Sequence, residues 1–115
     1  MEKITSNHEN KIMIGKKCPL TMAMGVISGR WKPVILYRLI HQEMGFHELH
    51  RSIPGVSERV LARQLTALVK DQLIVKQKQT PPEKTIYSLS ERGTRLKPIL
   101  LDLSNWAKKE ELKPF

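Results

Sequence analysis

Three features of the sequence point to a mainly α fold with one small β-hairpin. Apolar residues recur at three- and four-residue steps in several separate segments, as helices with one buried face require. Two short β-prone runs, Leu73 to Lys78 and Ile86 to Leu89, flank a proline-bearing loop, as the strands of a hairpin would. Two of the helical segments are joined by a turn containing Ile53-Pro54-Gly55, the kind of sharp turn found in a helix-turn-helix pair. The chain has 115 residues, which suits one small domain and leaves no room for a separate substrate domain.

In chain order, residues 1–17 carry scattered charge with few large apolar groups and read as an N-terminal arm or dimerisation helix. Pro19 suits a first helical turn, and Leu20, Met22, Ala23, Val26 and Ile27 fill most of the two turns that follow, before Ser28-Gly29 interrupts. Trp31 to His41 forms a second helix, with Pro33 tolerated in its first turn. Met44 and Gly45 break the pattern, and Phe46 to Ser52 reads as a short third helix with Phe46 and Leu49 inward. Ser57 is a good N-cap for the fourth, where Val60, Leu61, Leu65, Leu68 and Val69 form the apolar face. On the opposite face Arg59, Arg63, Thr66 and Lys70 make one polar, basic stripe. The loop QTPPEKT, from Gln79 to Thr85, reads as an exposed hairpin tip, because two prolines stop either strand from continuing. Ser90 caps a last helix with Leu96, Ile99, Leu100, Leu103 and Trp106 on one face, in which Gly93 and Pro98 are expected to introduce a bend.

Lysine and arginine number 20 against 11 acidic residues, a formal net charge of +9, and such an excess favours a polyanionic partner, most often nucleic acid. The single cysteine, Cys18, excludes a disulfide scaffold and gives no zinc-ribbon spacing. The opening MEKITSNHENK lacks the apolar core of a signal peptide, and the most apolar stretch is far shorter than the ~20 residues of a membrane span. A cytoplasmic protein without a membrane partner is expected. No phosphate loop, GxSxG, GxGxxG or HExxH is present, so no catalysis and no cofactor are expected. His47 and His50 lie three apart, but no cysteine or carboxylate cluster completes a site with them or with His41, and no metal is expected.

The order of helix, helix, short helix, turn, basic helix, hairpin and helix is that of a winged helix-turn-helix. Within it, Cys18-Pro19, Gly29-Arg30-Trp31-Lys32, Phe46-His47-Glu48-Leu49, Ile53-Pro54-Gly55-Val56-Ser57, Leu73-Ile74, Pro81-Pro82 and Tyr87 to Gly93 resemble the HxlR-type bacterial transcriptional regulators, related in fold to the MarR group. The resemblance spans about Cys18 to Trp106. It implies a homodimer on double-stranded operator DNA, with Ser57 to Asp71 as recognition helix, QTPPEKT as wing tip and the terminal helices as dimer contacts. Residues 18–92 would form the DNA-binding domain and residues 93–115 the C-terminal dimerisation helix. Three departures stand out. Gly45 replaces an arginine that commonly precedes the phenylalanine. Gln72 replaces a common helix-ending glycine, so the turn there is expected to be strained or differently shaped. The wing is one residue longer between Pro82 and Tyr87, with Ile86 in place of an acidic residue.

The expected DNA contacts are Ser57, Arg59, Arg63, Thr66 and Lys70 on the recognition helix, with Arg59 and Arg63 as readers of guanine. His50 and Arg51 before the turn, and Lys78 and Lys84 on the wing, are expected at phosphates. Leu96, Ile99, Leu100, Leu103 and Trp106 are the expected dimer interface, and Trp31 and Trp106 read as core or interface. Cys18 has two readings: a small buried hydrophobe, or, as in some relatives with Cys-Pro here, an oxidant or electrophile sensor. A thiolate there would be favoured by the helix start and by Lys16 and Lys17. An oxidant or small-molecule effector and a repressor role follow from the resemblance. The rival is a winged-helix module that binds an acidic protein or RNA without reading DNA sequence.

Overall fold

The computed structural model describes residues 18–79 and 84–114. The N-terminal arm, and Thr80 to Glu83 at the wing tip, lie outside the described residues. The first helix, α1, is Pro19–Ile27, with Cys18 at its N-cap and Pro19 at its start. Its sequence is apolar nearly all round, yet only Ile27 is buried, and Leu20 stays 69% exposed. The second helix, α2, is Lys32–His41 and supplies the centre of the core through Ile35, Leu36, Leu39 and Ile40.

Met44–Gly45 is a two-residue strand, β1, followed directly by α3, Phe46–Ser52. The sequence marks Met44 and Gly45 only as a break, because two residues are too few to show an alternating pattern. The structure pairs them with Tyr87 and Ile86, which turns the expected hairpin into a three-stranded antiparallel sheet. Gly45 is also where the strand becomes a helix. Its N–H donates to Glu48 Oε1 at 3.1 Å, satisfying one of the amides that a helix start leaves open.

The fourth helix, α4, is Glu58–Lys70, bounded by Ser57 and Asp71 as the sequence predicts. Ser57 Oγ accepts from Val60 N at 3.1 Å. Leu61, Leu65 and Leu68 are buried, with Val60 and Val69 packed beside them. The helix ends in paired backbone bonds, Leu73 N to Leu68 O at 3.0 Å and Gln72 N to Val69 O at 2.9 Å, which require a left-handed residue between them. Gln72 takes that place at φ 61°, so the strained alternative is the correct one.

Strands β2, Ile74–Gln79, and β3, Lys84–Leu89, pair in register from Ile74 opposite Leu89 to Gln79 opposite Lys84. Gln79, Lys84 and Thr85 therefore belong to the ladder and not to the loop. Both prolines lie outside the described residues. Helix α5, Glu91–Lys109, is capped by Ser90 Oγ and is helical without a break through Gly93 and Pro98. Gly93 serves a close approach: a Cβ there would overlap the Leu73 carbonyl. Ser90 secures that crossing by donating its N–H to Leu73 O at 3.1 Å and its hydroxyl to Gln72 O at 2.6 Å.

Candidate nucleic-acid interface

The turn between α3 and α4 is built from both ends. Ile53 and Val56 are buried in the core and hold the turn by its apolar side chains. Gly55 between them has φ 91°, a conformation that side-chain-bearing residues rarely adopt. Arg38 of α2 donates from Nε and Nη2 to Ser52 O at 3.2 and 3.0 Å, closing the C-terminus of α3. His50 Nε2 lies 2.8 Å from Val56 O, the carbonyl that enters α4. Neither bond was legible from spacing, since Arg38 and Ser52 are 14 residues apart.

From that fixed start, α4 turns its apolar face inward and leaves Arg59, Arg63, Thr66 and Lys70 exposed along one stripe. Among the described residues the only approach of a basic to an acidic side chain within 4 Å is His47 Nδ1 to Glu58 Oε1, at 3.8 Å and largely in water, where such a contact contributes little. Arg59, Arg63 and Lys70 thus have no acidic partner among the described residues, and their full charge faces outward. Thr66 donates its hydroxyl hydrogen to Ala62 O at 2.9 Å, so toward a ligand it offers a methyl group and acceptor lone pairs. Ser57 is engaged as the cap, and Arg51 is exposed at the end of α3.

The wing lysines do not form one patch. Lys78 pairs with Thr85, and Lys84 with Gln79, so the alternation of the ladder sends the two ammonium groups to opposite faces of the hairpin. Lys84 and Thr85 lie beside Gly45, Phe46, His47 and Glu48 at the start of α3.

At the other end of the molecule, the expected dimer residues divide. Leu96 and Leu100 pack on the chain's own core. Ile99, Leu103 and Trp106 are 61%, 49% and 53% exposed. An apolar groove runs beside them, lined by Pro33, Val34 and Tyr37 of α2 and by Leu100, Leu103 and Ala107 of α5. Trp31, by contrast, is packed against the core next to Gly55.

Cys18 is half-buried at the start of α1. Its thiol is held below the ordinary cysteine value, first by the Thr21 hydroxyl and then by the Thr21 N–H, with burial opposing them and the Leu20 N–H adding least. Thr21 is a partner that the sequence reading missed; a hydroxyl three residues past a helix cap is the signal that marks it. Lys16 and Lys17 lie outside the described residues. No group of three or more His, Cys, Asp or Glu side chains that could hold a metal occurs among the described residues, and no helix there is long and apolar enough to cross a membrane.

The chain matches the HxlR-like helix-turn-helix family over residues 26–113. It is 37% identical over 94 residues to the HTH-type transcriptional regulator YdeP of Bacillus subtilis, covering 80% of this chain and 73% of that one. Among solved structures, the redox regulator HypR in its reduced form superposes with a TM-score of 0.76 at 32% identity, covering 81% of this chain and 93% of that one. The reduced transcriptional regulator YodB from B. subtilis gives 0.72 at 30% identity, with coverage of 80% and 92%.

Proposed function

Because the chain belongs to the HxlR-like helix-turn-helix family of DNA-binding transcriptional regulators, we propose that it acts as a cytoplasmic homodimeric repressor with Cys18 as its sensing group. The single observation that carries the DNA-reading part is the exposed stripe of Arg59, Arg63, Thr66 and Lys70 on a helix whose N-terminus is fixed by a capped turn. Arg59 and Arg63 sit on the first two turns, the part of such a helix that enters the major groove deepest. Arg51, Lys78 and Lys84 supply phosphate contacts that set position without reading sequence. Residues 18–92 serve as the DNA-binding unit, and repression needs only that the bound dimer exclude polymerase from the promoter. The test is a gel shift against duplexes selected from a random pool: one preferred sequence with steep salt dependence supports the reading, and retention of all duplexes alike overturns it.

Dimerisation is assigned to residues 93–115 together with the N-terminal arm. Three large apolar side chains about half exposed on one helix face, beside an apolar groove, form the kind of patch that soluble monomers seldom leave uncovered. Trp106→Glu places a charge in that contact. It should weaken the dimer about 30-fold or more while leaving the far-UV spectrum unchanged, as sedimentation over a concentration series would show. A wild-type chain that sediments as a monomer at micromolar concentration would remove the assignment.

The sensing role rests on the acidified thiol and on likeness to a regulator described as a redox regulator. Oxidation of two Cys18 thiols, one per subunit, would form one S–S bond, with two electrons and two protons passing to the oxidant; diamide takes them up at its N=N bond. A mixed disulfide or a sulfenic acid are the other products open to a lone cysteine. The thiolate is the reactive form and exists above the pKa, so a lowered pKa extends reactivity to lower pH than the ordinary ~8.5. Alkylation rate against pH should therefore show a midpoint below that value, and Thr21→Val should move it upward and slow alkylation at pH 7 several-fold. Operator affinity should change on diamide treatment of wild type and stay constant for Cys18→Ser; identical responses would leave Cys18 a structural residue.

A further inference from the structure

The geometry points to His50 as a positioning residue for the recognition helix. It acts through the peptide between Val56 and Ser57, with Arg38 as the second anchor of the same turn. Val56 O is an acceptor only, so the 2.8 Å bond requires that His50 donate from a protonated Nε2. The imidazole is held for this: its ring lies parallel to that of Phe46, at 4° between planes and 6.5 Å between centroids, and the residue is half-buried. The Val56 carbonyl and the Ser57 N–H belong to one planar peptide unit. Fixing that plane fixes the direction in which Ser57 enters α4, and Ser57 Oγ in turn holds Val60 N. Arg59 is the next residue but one.

At the opposite end of the turn, the Arg38 guanidinium holds Ser52 O through two N–H groups, and Ser52 Oγ donates to Leu49 O at 2.8 Å. The two carbonyls bracket the turn. With both held from outside it, the angle between α3 and α4 is set by side chains of α2 and α3. A rotation of the Val56–Ser57 peptide would swing Arg59 and Arg63 together, so what His50 controls is how the two arginines are presented and not how much charge the surface carries. A phosphate contact by the same ring would instead add to affinity for every duplex equally.

The proposal rests on α4 being the helix that reads bases, and it is tested with His50→Gln and His50→Asn. The Gln amide nitrogen can reach the place of Nε2, whereas the Asn amide is one methylene short of it. Both are neutral and polar, so they differ in reach alone. In the full-length protein, His50→Asn should lower affinity for the selected operator about fivefold, the worth of one ordinary hydrogen bond, with affinity for random duplex and the salt slope unchanged. His50→Gln should restore the operator-to-random ratio. If both variants lose affinity for operator and random duplex alike, and the salt slope falls by about one, His50 is a phosphate contact and the proposal is wrong. If neither changes the ratio, it is also wrong. The wild-type protein gives a readout independent of folding of the variants: nitrogen NMR should find His50 protonated at Nε2, with that proton slow to exchange, and an unprotonated Nε2 would overturn the proposal. Failure of the underlying reading shows separately, as alanine at Arg59 and Arg63 leaving the ratio untouched.

Discussion

Alanine at Arg59 or at Arg63 should bring operator affinity down about 5- to 150-fold relative to random DNA. That range is the ~1 to 3 kcal/mol of discrimination that a bidentate arginine–guanine pair provides. Each arginine is exposed on the outer stripe of α4 and has no carboxylate within 4 Å among the described residues, so neither must break an existing pair to meet a base. They stand four residues apart, one helical turn, so on the proposed reading they would address neighbouring base pairs along the groove. Arg51→Ala, Lys78→Ala and Lys84→Ala should behave differently, weakening operator and random duplex alike and each reducing the salt slope by about one. Binding measured over a salt series for both duplexes separates the two groups. If Arg59→Ala and Arg63→Ala lowered both affinities equally, sequence would have to be read by the wing or through DNA shape.

Gly93→Ala should destabilise the fold by about 2 kcal/mol, although alanine is the better helix former by ~1 kcal/mol. The added methyl would occupy the space of the Leu73 carbonyl, and the atom that must yield is backbone. Moving it disturbs the Ser90 N–H bond to Leu73 O, and with it the Ser90 hydroxyl bond to Gln72 O, so α5 loses its seat as well as its packing. A fall in Tm of about 10 °C is expected for a domain of this size. Gly25→Ala is the control. It lies in α1 with nothing within 4 Å of the new methyl and should be neutral or slightly stabilising. Equal melting of the two variants would show that the Leu73 crossing tolerates an extra carbon.

The contrast between these glycines shows where sequence reading stops. Helix α4 was legible to its caps because its stripe, Ser57 and Asp71 are all local features. The same local logic expects a bend at Gly93 and cannot show the carbonyl twenty residues earlier in the chain that the glycine approaches. Strand β1 was hidden because its only pattern is its pairing with Ile86 and Tyr87, some forty residues on. His50 and Arg51 looked equivalent as basic residues before a turn, and only the geometry shows one engaged with Val56 O and the other exposed. The apolar stripe of α5 is legible as a stripe, but periodicity cannot say that Leu96 and Leu100 pack on the core while Ile99, Leu103 and Trp106 stay exposed, since a broad apolar face can serve two surfaces.

Leu73 and Ser90 form a joint with mechanical consequences. There the C-terminus of α4, the root of the hairpin and the first turn of α5 share backbone hydrogen bonds within a few residues, with no side-chain cushion between Gly93 and Leu73. Such a joint transmits rotation with little slack. Helix α4 has 13 residues and is about 20 Å long, so a tilt of ~5° about this pivot would ask about 2 Å of its far end, where the bonds at Ser52 O and Val56 O resist it. Arg59 lies near that far end and Lys70 near the pivot, so a rotation of α5 that overcame those two bonds would displace the arginine most and the lysine least. In the proposed dimer, two subunits turned in opposite senses would double that displacement across half-sites about 34 to 36 Å apart. On the proposed reading, the end of the helix with the longest arm is the end that enters the groove, so the two bonds that hold it also guard the spacing.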